Sequence, residues 1–206
     1  MADNFPVPAA TDKAPQGSAA RLIQVAKSQV GYIEGPKDNE TKYGAFTKAN
    51  FQPWCGSFVM WCSNEAGVKV PNTVYTPNGA AGFKKAGAWI DGDLADPEQG
   101  DIAYFDFPND GADRISHVGI VIEDNEDGTV WTIEGNTSRD GVKGSQRNGG
   151  EAAKKLRAFK KNKKNVQISI VGFGRPKFTN TSSTATTSNN TNKSITCPSC
   201  GHQITK

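Results

Sequence analysis

"PWCGSFVMWC", residues 53–62, sets two cysteines seven residues apart in an apolar run with helical spacing. Positions i, i+3, i+4 and i+7 share one helix face, so Cys55, Phe58, Val59 and Cys62 form an inward stripe. Pro53 suits a helix start and Gly67 a helix end, which predicts a helix beginning close to Cys55. At 1.5 Å rise per residue the two cysteines stand about 10 Å apart along the axis, beyond the roughly 7 Å Cα limit for a disulfide. The two thiols therefore differ in role. Cys55 lies at the helix N-terminus, where unpaired backbone N–H groups and the macrodipole favour a thiolate. Cys62 lies two turns deeper among Phe58, Val59 and Trp61, as a small core residue.

A nucleophilic thiolate needs a base within hydrogen-bond reach and a third group to orient that base. The chain has two histidines, and His202 lies close to its end, so His117 is the candidate base. "ISHVGIVIEDNEDGTVWTIEGNTS" (115–138) reads as a β-hairpin with its turn near "DNED". Pairing Glu123 with Gly128 places Ile120 opposite Trp131 and Val118 opposite Ile133. The same register sets His117 opposite Glu134 on the other face, with Asn136 two residues further on. Either Glu134 or Asn136 then orients the imidazole.

Outward from these segments, Ser18 is a candidate N-cap for "AARLIQVAKSQVG", and Gly31 supplies its stop. "YIEGPKDNETKYG" is turn-rich and reads as a surface loop, and a third short helix is expected around "NGAAGFKKAGAW", capped by Asn78. From Gly100 the pattern changes to strands: "DIAYFDF", "SHVGIVIE", "TVWTIEG" and "VQISIVGF". Helices first and strands second predict an α+β domain with helices packed on an antiparallel sheet. The organisation expected is a flexible leader over 1–17, a domain over 18–178, a Ser/Thr/Asn linker over 179–194 and a short tail over 195–206.

With 206 residues, 35% hydrophobic and 22% charged, the chain suits one domain of ordinary size. No apolar run approaches the roughly 18 residues that cross a bilayer, and the first residues do not read as a signal peptide. The net charge of +3 hides an asymmetry: twelve acids against one base between Asp91 and Gly128, then nine bases against one acid between Glu151 and Lys177. The basic stretch is a candidate surface for an anionic polymer.

With Cys55, His117, Glu134 and Asn136 identified, the chain resembles the CHAP family of cysteine amidohydrolases and peptidases, in particular bacteriophage endolysins that cut bacterial peptidoglycan. The segments that carry the resemblance are "VGYIEGPKDNETKYG" (30–44), "NFQPWCGSFVMWC" (50–62), "GDIAYFDF" (100–107), "ISHVGIVIE" (115–123), "WTIEGNTS" (131–138) and "IVGFGRPKF" (170–178). The resemblance implies a papain-like fold, with Cys55 as nucleophile, His117 as general base and then acid, Glu134 at the orienting position and Asn136 as the polar residue near it. Cleavage would pass through a tetrahedral oxyanion and a thioester. The Cys55 backbone N–H is the expected oxyanion donor, with Asn50 or Gln52 as candidates for a second. Asn39 and Tyr43 are candidates for contacting a stem peptide. The bond cut is left open between the N-acetylmuramoyl-L-alanine amide and a peptide bond of stem or cross-bridge. The implied place of action is the host cell wall, reached after synthesis in the host cytoplasm.

No cofactor is expected for catalysis. The residues just before Cys55 contain no acid, and "DGDLADPEQGD" (91–101) lacks the EF-hand glycine and terminal Glu at their offsets. In the tail, "CPSCGH" offers Cys197, Cys200 and His202 as candidate zinc ligands, three of the four that a structural site takes. A rival reading is a non-catalytic protein that grips wall polymer or nucleic acid; against the latter, the domain lacks interleaved aromatic and basic residues. A bacterial autolysin of the same family is the nearer rival.

Overall fold

The computed structural model describes residues 13–108, 110–111, 114–138 and 145–179, together with the backbone of 195–196 and 203–204. Helix α1 spans Ala19–Lys27 and is capped by Ser18, whose hydroxyl accepts from the Arg21 N–H at 3.1 Å. Its buried face is Leu22, Ile23, Val25 and Ala26. The segment expected as a surface loop holds a short helix instead, α2 (Lys42–Thr47), capped by the Thr41 hydroxyl at 2.9 Å from Gly44 N. Six residues are too few to show a helical period, and one apolar anchor, Tyr43, ties this helix to the core. Helix α3 spans Cys55–Glu65, and α4 spans Thr76–Lys85. Asn78 is not the cap of α4: Pro77 in the first turn begins the helix ahead of it.

Six strands follow: β1 (Trp89–Asp91), β2 (Ile102–Phe105), β3 (His117–Asp124), β4 (Thr129–Thr137), β5 (Glu151–Ala158) and β6 (Ile170–Gly174). They form one antiparallel sheet in the order β1-β6-β2-β3-β4-β5. The fold is α+β, as its order of helices and strands implied. Helix α3 packs on β3 and β4, with α1 and α2 against its other flanks. Its close approach to β4 depends on Gly135, where a Cβ would lie 2.5 Å from Phe58 Cβ. An aromatic cluster fills this layer: Tyr43 stacks on Trp54 at 5.3 Å and meets Phe58 edge-on at the same distance.

Strand β5, "EAAKKLRA", has too few apolar residues to read as a strand, and its lysines and arginine look like part of a solvated basic run. Yet Lys155 and Arg157 are buried. Lys155 Nζ donates to the Ser138 carbonyl at 2.7 Å, while Arg175 binds both carboxylate oxygens of Asp101 and one of Glu98. With Lys160 on the Ala95 carbonyl and Lys164 paired with Asp127, five of the nine bases in this stretch make internal contacts.

Near the chain end Ile195–Thr196 (β7) pairs antiparallel with Gln203–Ile204 (β8). Cys197, Cys200 and His202 lie outside the described residues, as do 1–12 of the leader and 180–194 of the linker. No helix among the described residues is long and apolar enough to cross a membrane.

Candidate active site

The hairpin that carries the histidine differs in register from the expected one. Glu123 pairs with Trp131 rather than with Gly128, a difference of three residues that alone would put His117 and Glu134 on opposite faces. Ile122 is an unpaired bulge residue between Val121 and Glu123, and it restores the phase. Beyond the bulge Ile120 pairs with Ile133, two residues from the expected partner, and a two-residue offset preserves the face. His117 and Glu134 therefore still meet, on a diagonal. Gly119 makes the diagonal passable, since a Cβ there would lie 2.6 Å from Glu134 Cγ.

His117 and Glu134 are both fully buried. The imidazole Nε2 lies 3.0 Å from Glu134 Oε2. An ionised carboxylate only accepts, so the proton sits on Nε2 and Nδ1 carries the lone pair. Nδ1 holds no hydrogen bond of regular geometry, and the Cys55 side chain interacts with the ring. Phe105 and Phe107 flank the imidazole, with ring centroids 5.5 Å and 5.6 Å away.

Burial acts to lower the His117 pKa, but the Cys55 sulfur and Glu134 together outweigh it and bring the ring up to about 9. The ring is thereby poised to hold a proton next to a sulfur anion. For Glu134, burial would push the carboxyl up; Arg157 and His117 instead hold it well below the usual carboxylate range. Arg157 contributes Nε to Oε1 at 2.8 Å and an Nη to Oε2 at 2.6 Å, and the Thr132 hydroxyl adds a donor to Oε1 at 2.6 Å. Arg157 was not singled out from the sequence. Its only signal is the alternation of β5, where Ala153, Lys155 and Arg157 share one face.

Cys55 is the first residue of α3, and no side chain caps this helix. The first backbone N–H groups thus have no side-chain acceptor and stay available as donors beside the thiol. Cys62, on the same helix, is fully buried, and burial pushes its thiol well up. Both thiols are free.

Asn136 does not bond the histidine. It is fully buried at φ +57°, and its side-chain amide donates to Asn39 Oδ1 at 3.0 Å and to Asn148 Oδ1 at 2.9 Å, while its own Oδ1 accepts from Gly150 N. It fastens the 39 and 148–150 loops to the end of β4. Tyr43 is fully buried in the aromatic cluster, with its hydroxyl on Gln29, which removes it as a substrate contact. Its ring is the apolar anchor that a helix as short as α2 requires. Asn39 is buried too, committed to Asp38 and Asn136. The Asn50 side chain accepts from Thr41 N at 2.9 Å and braces the start of α2. Gln52 is exposed beside exposed Phe51, two residues ahead of the α3 N-cap.

A thiol at the start of a buried helix, beside an imidazole held by a carboxylate on an antiparallel sheet, defines a thiol hydrolase of papain-like architecture. Residues 47–136 match the family model of the CHAP domain, a domain of cysteine- and histidine-dependent amidohydrolases and peptidases. A search of curated proteins returned no match.

Proposed function

We propose that this protein hydrolyses an amide bond of bacterial peptidoglycan, acting as a phage endolysin on the wall of its host. The reading rests on one observation above all: the Cys55 side chain interacts with a His117 ring whose far nitrogen is bound by Glu134. The Cys55 sulfur attacks the amide carbon, and the oxyanion that forms is met by N–H groups at the start of α3. His117, protonated at Nδ1 by the thiol, delivers that proton to the leaving amine. The thioester remains. Water, deprotonated by Nδ1, then attacks the acyl carbon, and the thiol is regenerated as the acid leaves. Gln52 and Phe51, exposed and three and four residues ahead of Cys55 in the chain, are assigned to substrate contact.

The bond is either the N-acetylmuramoyl-L-alanine amide or a peptide bond of stem or cross-bridge, because the same thiol chemistry serves both. The tail cysteines and His202 are assigned to a zinc site separate from catalysis, and the exposed lysines around 161–164 to an anionic wall polymer. Digestion of purified Gram-positive and actinobacterial walls tests the core of the reading, with mass spectrometry of the fragments. Wild type should release fragments whose new ends name the bond, and Cys55→Ala should release none. If wild type too releases nothing under reducing conditions, the reading fails.

A further inference from the structure

We propose that Arg157 is a positioning residue of this site: by gripping both oxygens of Glu134 it keeps that carboxylate charged and aimed at His117 Nε2, so that Nδ1 is the nitrogen left for Cys55. The inference rests on the thiol-hydrolase reading of Cys55 and His117. It adds a fourth member from β5, a strand beyond the segment that matches the family model.

Four observations carry it. Glu134 is fully buried, and a carboxylate isolated in that setting would take up a proton. Its two oxygens accept four hydrogen bonds in all: two from Arg157, one from Thr132 and one from His117. The guanidinium is itself buried and lies over Phe105 and Phe107 at 5.5 Å and 4.9 Å, the two rings that also flank the imidazole. Among the described contacts, both of its hydrogen bonds go to Glu134.

The chemical consequence concerns the tautomer. A protonated Glu134 would donate to Nε2, which would move the ring proton to Nδ1 and leave no base toward the sulfur. With Arg157 in place the carboxylate stays an acceptor. A lysine supplies the charge but not the planar two-point contact. Other charged groups on the elements packed around the pair are Lys155 on β5, bound to the Ser138 carbonyl, and Asp106 and Asp110 after β2, the latter paired with Arg147.

The test follows Cys55 itself. Alkylation by iodoacetamide is measured as a function of pH in the full chain, with mass spectrometry on the Cys55 peptide so that the other cysteines do not interfere. The wild-type profile sets the reference. In Arg157→Met the acid limb should move up by about one pH unit or more, and the plateau rate should fall about ten-fold. Arg157→Lys should keep the limb close to wild type while losing plateau rate. A folded Arg157→Met with the wild-type limb, or with a limb moved to lower pH, overturns the proposal. Should Arg157→Met not fold, Arg157→Lys decides: a wild-type plateau overturns the proposal and a lowered one supports it. Failure of the wall-hydrolysis reading looks different, since wild type would then leave walls intact while its Cys55 profile kept the paired form.

Discussion

On one side of β4, Ile133 and Gly135 lie against α3 and its aromatic neighbours; on the other, Thr132 and Glu134 face a buried arginine and histidine. The first side is held by shape, through contacts that are non-directional and shared among many atoms. The second is held by a few bonds, each with one donor and one acceptor. Removing a side chain from the first leaves a cavity. Removing one from the second leaves an unpaired charge and disturbs the placement of a proton. One strand thus carries two kinds of fragility, and variants should tell them apart.

The largest effect should come from Glu134→Gln. It removes the charge that pairs with Arg157 and leaves one acceptor oxygen for the donors of Arg157, Thr132 and His117, so we expect a loss of about 3–5 kcal/mol in chemical denaturation together with a fall in hydrolysis of a thousand-fold or more, on the order seen for orienting acids. A folded variant with near-normal turnover would erase the distinction between the two sides. Phe58→Ala, on the apolar side, should cost about 3–5 kcal/mol of stability as well, but leave the acid limb of Cys55 alkylation in place. Movement of that limb would show that packing and proton placement are not separable here.

A smaller loss, about 1–3 kcal/mol, is expected for Asn136→Ala, which releases the bonds to Asn39, Asn148 and Gly150 without touching the histidine. Denaturation and the pH profile together check this, since a shifted profile would return Asn136 to the orienting role. The subtlest effect is electrostatic. His117 is raised from 6.5 to about 9, so its contribution to stability is fully present below pH 6.5 and lost as pH rises through about 9. Glu134 has the opposite sign: its contribution is present above the ordinary carboxylate range and lost as pH falls through its depressed value. In Cys55→Ala the sulfur's share disappears, and an NMR titration of His117 should place the ring lower than in wild type. An unchanged titration would mean that Glu134 alone holds the ring up.

Much of this was legible in the residues. The stripe Cys55, Phe58, Val59 and Cys62 announced α3, and the apolar alternation of 117–137 announced a hairpin with histidine and carboxylate on one face. The bulge at Ile122 was not legible, because an unpaired residue leaves no mark on a period-two pattern until its partner strand is known. Helix α2 escaped for want of length. Strand β5 escaped because burial of Lys155 and Arg157 is decided by partners distant in sequence, Ser138 and Glu134. Tyr43 and Asn39 were misjudged for the same reason: a polar, turn-rich segment conceals which side chains point inward.

The close approach of Gly119 to Glu134 has a consequence for descent. A methyl group at 119 fits only if the acid across the ladder is shortened, and an aspartate at 134, one carbon shorter, no longer spans the distance to both His117 and Arg157. Neither position can drift alone. In any lineage that keeps this arrangement, the smallest residue and the longer of the two acids are inherited as a pair.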